Sequence, residues 1–126
     1  MDAFDTWPKA LTEEFAANQQ NGRVGGKLVS ETDTLRIWHL HIPPGERLGF
    51  HRHVLNYFWT ALVPGRARSH YGDGRIAEAT YTAGETKHFT FDAGQSMIHD
   101  LENIGTEPLV FVTVEFKQSA NLPLPL

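Results

Sequence analysis

The chain contains no cysteine. That single absence excludes disulfides, a thiolate nucleophile and a sulfur-ligated metal, so any metal must be held by nitrogen or oxygen. No apolar run approaches the length of a membrane-spanning helix, and no membrane partner is expected. There is also no basic block. The arginines and lysines are scattered, and 15 acidic residues outnumber 11 basic ones, which argues against a nucleic-acid partner. The opening residues, MDAFDTWPKALTEEF, lack the basic start and apolar stretch of a secretory signal, so a cytoplasmic protein is expected.

What is present points to one globular domain. The 126 residues are 40% apolar and 21% charged, enough for a single core and too few for two. We read a single domain over 1–126, with an N-terminal helical segment at 1–22, a barrel at 23–117 and a proline-rich tail at 118–126. Residues 8–20 form the one good helix pattern, with Thr6 placed to cap it, Pro8 in the first turn, and Ala10, Leu11 and Phe15 at helical spacing. Beyond it, glycine and proline punctuate β-branched and aromatic stretches. Strands are expected near 24–30, 35–42, 48–53, 56–63, 67–71, 76–82, 88–91, 96–102 and 109–116. The last of these, LVFVTVEF, aligns Val110, Val112, Val114 and Phe116, and that face is expected to be covered by a second sheet. Many short strands at this spacing mean an all-β sandwich or barrel. The tail is expected to be extended, either packed on a neighbour or loose.

Seven histidines are many for this length, and they cluster. In a strand, residues i and i+2 share a face. His51 and His53, in the stretch FHRHVLNYFW, therefore project together, as two ligands to one metal would. A third ligand is needed, and His99, opening HDLEN after the Ala93-Gly94 turn, is the best candidate. His39 and His41 form a second such pair. Trp38, Leu40 and Ile42 make the more apolar face of their strand, so those two histidines are expected on the surface or at a subunit interface. His70 and His88 stand alone and read as structural or exposed.

These segments resemble the paired motifs of the cupin superfamily. The first motif matches in Gly45, the residues ERLGF, His51-Arg52-His53, and then Gly65. The second matches in His99 and Asn103, separated by Asp100, Leu101 and Glu102. The resemblance is to the small single-domain cupins and implies an all-β double-stranded β-helix, the jelly-roll barrel, with a short N-terminal helix. It also implies a metal site built from His51, His53 and His99. Two departures stand out. Cupins usually carry a glutamate shortly after the second histidine, as a fourth ligand, and Tyr57 stands there instead. The second motif usually has a glycine where this chain has Ser96, with Gly94 nearby.

Three neutral ligands would leave a divalent ion strongly Lewis acidic. A three-histidine arrangement resembles that of cupin dioxygenases, which implies an iron-dependent dioxygenase acting on a small organic acid or enolisable carbonyl. An isomerase or lyase with zinc, nickel or manganese is the other enzymatic reading. Imidazole suits several of these ions, with iron slightly favoured. Tyr57 reads either as a hydrogen-bonding group beside the metal or as a barrel-filling aromatic. Leu55, Tyr57, Trp59, Phe89, Phe91 and Met97 are expected to line a cavity for a small-molecule ligand. Glu46, Glu85, Glu102 and Glu115 fall where the pattern does not orient them, so no general acid or base stands out. That keeps open a non-enzymatic sensor or binding protein. Pairing through the segment 24–30 and the tail is expected to give a homodimer.

Overall fold

The computed structural model describes residues 4–126. One helix, α1 (Lys9–Ala17), precedes nine strands: β1 (Lys27–Glu31), β2 (Leu35–Ile42), β3 (Arg47–His53), β4 (Tyr57–Ala61), β5 (Gly65–His70), β6 (Ile76–Tyr81), β7 (Thr86–Phe89), β8 (Met97–Asn103) and β9 (Leu109–Phe116). They form a five-stranded sheet, β1-β2-β9-β4-β7, and a four-stranded sheet, β3-β8-β5-β6, all paired antiparallel. This is the expected all-β double-stranded β-helix with one short helix. The alternation of each strand sends one face inward, and Leu40, Ile42, Ala61, Ala67, Leu109 and Phe111 pack there as a core.

Several boundaries move for identifiable reasons. The helix starts at Lys9 with Pro8 at its N-cap, and Thr6 makes no capping bond. It also stops at Ala17, where Asn18 turns out of helical geometry. The first strand begins at Lys27 rather than at position 24, because the preceding glycines lie hard against β2. A Cβ on Gly25 would meet Trp38 Cβ at 2.3 Å, and Gly26 has φ +85°.

The inner face of β9 is the reverse of the expectation. Leu109, Phe111, Thr113 and Glu115 are buried, whereas Val110, Val112 and Val114 are half-buried and Phe116 is exposed. Hydrophobicity misleads here because β9 is the central strand of its sheet, where inward Glu115 meets Trp38 Nε1 and inward Thr113 lines the cavity inside the barrel. The tail, too, differs from both expectations. It is extended but fastened to its own barrel, where Asn121 Nδ2 donates to the carbonyls of Val54, Asp92 and Gln95 and the Leu124 carbonyl accepts from Arg36.

Helix α1 covers the outer face of the four-stranded sheet. Trp7, Phe50 and Ile98 form a second buried cluster with Phe4, Leu11 and Phe15 packed on it. Beneath the helix, Arg47 forms a fork with Glu14 (2.7 and 3.0 Å) and reaches Asp100 Oδ2 at 2.7 Å. Asp100, completely buried, also accepts from the His70 backbone N–H (2.6 Å) and from its ring Nδ1 (3.1 Å). The network ties helix, β3, β8 and β5 together directly behind the strands that carry the inward histidines.

Candidate functional site

β3 and β8 are neighbours, and their register sets His51 opposite His99 and His53 opposite Met97. The pairing slips between Leu48 and His51. That irregularity matters, because residues three apart on a regular strand face opposite ways, yet both Leu48 and His51 line the same cavity. Asn103 fixes the far end of β8. Its buried side chain donates to the Ile42 and Glu107 carbonyls and accepts from Gly105 N–H. The asparagine that closes the second motif is thus a staple for the β8–β9 turn.

His51, His53 and His99 converge as expected, with one ring nitrogen of each lying within 4.8 Å of the others. His51 Nδ1 lies 2.8 Å from the Gly49 carbonyl. A carbonyl can only accept, so Nδ1 carries the hydrogen and the Nε2 lone pair is left free. His53 Nε2 and His99 Nε2 are 3.2 Å apart, while both Nδ1 atoms are buried without a partner. Burial disfavours the imidazolium form. It pushes His51 down to about 4 and holds His53 and His99 well below the usual value, helped by the neighbouring rings. At neutral pH the cluster is therefore three uncharged imidazoles whose ring nitrogens crowd together. A cation at their centre relieves that crowding, and the donor set fits a divalent transition metal. Among the described residues no carboxylate joins the group. Asp100, next to His99 in sequence, points to the opposite face, where Arg47 and His70 hold it.

Tyr57 lies flat against His53, with ring centroids 4.1 Å apart and planes inclined by 12°, and Phe89 stacks on its other side at 4.6 Å. Burial pushes its phenol well above the usual value, so it stays protonated. Tyr71 plays the matching part on His99 (5.5 Å, 17°) and was not anticipated. Its one signal in the sequence is its position at the mouth of the Gly72-Asp73-Gly74 turn, from which it bridges to His99.

The cavity around the histidines holds about 180 Å³. Tyr57, Trp59, Phe89 and Met97 line it as expected, while Leu55 and Phe91 do not. Tyr71, Tyr81, Ser69 and Thr113 add hydroxyls, and Glu85 and Lys87 sit at the exposed rim. Glu115, which the pattern did not orient, is buried on the inner face and accepts from Trp38 Nε1 at 2.7 Å. Burial raises its carboxyl to about 7. His39, His41 and His88 are exposed and His70 is structural, as expected.

The comparisons with known proteins point one way. The chain is 33% identical over 102 residues to the oxalate decarboxylase of Bacillus subtilis strain 168, an alignment covering 79% of this chain and 24% of that one. A cupin domain from Bordetella pertussis superposes with TM-score 0.63 at 21% identity, over 72% of this chain and 90% of that one. A protein with a double-stranded β-helix domain from Klebsiella pneumoniae superposes with TM-score 0.58 at 26% identity, over 86% and 92% of the two chains. The chain belongs to the cupin superfamily. No family profile matches this cupin. It spans about a quarter of the length of the curated relative it matches. As a cupin it has its histidines on the strands where its two sequence motifs lie.

Proposed function

We propose that His51, His53 and His99 hold a divalent metal ion and that the protein is a metal-dependent dioxygenase acting on a small organic acid or enolisable carbonyl compound. The observation that carries this reading is the convergence of three neutral imidazoles, without a carboxylate among the described residues, in a cavity with largely apolar walls. Iron is the favoured ion, with zinc, nickel and manganese as alternatives. When bound, the ion would supply Lewis acidity and, as iron, redox chemistry.

The chain's own groups prepare the site. The Gly49 carbonyl fixes the tautomer of His51. Tyr57 and Tyr71 clamp the rings of His53 and His99 by stacking. The Tyr57 phenol, neutral and not itself a ligand, stands beside the cluster as a donor for substrate. Trp59, Phe111 and Leu101 exclude water from the walls. The Bacillus subtilis relative is by name a decarboxylase of oxalate, itself a small organic acid, which supports the substrate class.

A second reading has its own support. Among the described residues lining the cavity the one carboxylate is Glu85, exposed and bonded to Thr82 N–H at 3.1 Å, so no general base stands by the histidines. That favours a non-enzymatic sensor or carrier. Oxygen uptake by the iron-loaded protein, with a panel of small acids and diketones, separates the two. Consumption coupled to loss of one compound supports the dioxygenase, and ligand-induced thermal stabilisation without uptake supports the binder. We further propose a cytoplasmic homodimer, paired through β1, the edge strand of the five-stranded sheet.

A further inference from the structure

The cavity carries a set of hydroxyl groups besides its three imidazoles. Tyr57, Tyr71, Tyr81, Ser69 and Thr113 all line it. Among the described residues none of their hydroxyls makes a hydrogen bond to another protein group, whereas Asn103, Asp100 and Glu115, buried nearby, are all bonded. Because they face a cavity rather than a protein partner, the bonding capacity of these hydroxyls is open to the polar groups of a ligand. Burial keeps two of the phenols uncharged, raising Tyr57 well above its usual value and Tyr81 to about 12. Tyr57 and Tyr71 are also rigid, because their rings are stacked on the imidazoles.

The charges around these donors select the ligand's sign. The histidines are neutral, and the cavity wall brings no anion to the cluster, so a divalent ion there keeps its full charge; this step rests on the metal reading above. At the rim, Lys87 makes no ion pair among the described residues and lies over the Phe89 ring, 5.1 Å from its centre. Glu85, the one carboxylate of the lining among the described residues, lies at the exposed rim, where it accepts from Thr82 N–H. Hydroxyls that can donate, a dication at the histidines and Lys87 at the rim together favour an oxygen-rich anion.

We propose that Tyr71 and Tyr81 position the carboxylate of a small 2-oxo or 2-hydroxy monocarboxylic acid, whose second oxygen lies toward the three histidines. A polyol would use the same hydroxyls but leave the positive charge unanswered. A cavity of about 180 Å³ limits the acid to a few carbons.

Lactate, methyl lactate and propane-1,2-diol share one carbon skeleton and differ at the carboxylate, so they make the test. Zinc-loaded protein, which is redox-silent, is titrated with each by calorimetry and thermal shift, and zinc content is measured on every sample. Lactate is expected to bind and raise the melting temperature, with the ester and the diol at least tenfold weaker. Tyr71→Phe and Tyr81→Phe are each expected to weaken lactate about tenfold while keeping the zinc. Equal binding of the diol or ester overturns the proposal, as does unchanged lactate affinity in both variants. Lactate bound equally well by zinc-free protein, yet still weakened by the two substitutions, upholds the hydroxyl cradle and refutes the contact with the metal, while zinc absent from the loaded wild type refutes the metal reading itself.

Discussion

Glu115 is the residue whose chemistry departs furthest from its type. It sits on the inner face of β9, opposite Arg36 on one side and Tyr57 on the other, and its carboxyl is raised from 4.5 to about 7 chiefly by burial, against the opposing effects of the Trp38 hydrogen bond and Arg36. A carboxyl whose folded pKa is raised favours the native state only while protonated. Its contribution is complete below about 4.5, declines as the pH rises, and has gone above about 7. Glu115→Gln keeps an acceptor for Trp38 and removes the titration. The variant should match the wild type at pH 4 and be more stable by up to about 3 kcal/mol at pH 8, because each tenfold change in a proton-binding equilibrium is worth about 1.4 kcal/mol. Urea unfolding at the two pH values measures this difference, and an equal stability at both would refute the assignment. Tyr57 makes a separate case. Its stacking on His53 survives Tyr57→Phe, so metal content should be nearly unchanged while ligand affinity falls.

At the scale of elements, the pairing of β3 with β8 builds the site, and the Arg47 network supports it from behind. Arg47→Met would strip the completely buried Asp100 of its cationic partner and release Glu14 of α1, and should cost about 3 kcal/mol. Adding Asp100→Asn should recover part of that loss, a coupling that a double-mutant unfolding cycle reads directly. Much of this level was legible in the sequence. Glycine and proline turns bounded nine strands, and β2 and β9 fall where the pattern sets them. The i, i+2 rule placed His51 and His53 on one face and turned His39 and His41 outward. What was not legible depends on partners distant in the chain. The inner face of β9 is decided by Trp38 and Arg36 meeting Glu115, which no local periodicity records. Tyr71 enters the site only because β5 runs alongside β8. The irregularity between Leu48 and His51 likewise has no signature in the apolar pattern.

For the whole molecule, the two sheets differ in what covers them. Helix α1 and its aromatic cluster lie on the four-stranded sheet. The outer face of the five-stranded sheet carries Ile37, Val114 and Phe58 side by side in register, with Val112 between His39 and Thr60, and β1 ends that sheet at an edge. Pairing of two copies there should give a dimer by size exclusion with light scattering at micromolar concentration, and a monomer would end that proposal. The metal-dependent reading above, however, depends on the three-histidine centre. Elemental analysis of untagged protein against His51→Ala, His53→Ala and His99→Ala tests it most directly. About one equivalent of a divalent transition metal in the wild type, and most of it lost in each of the three variants, is the result expected. Metal retained at the same level in all three, or bound by none of the proteins, would contradict it.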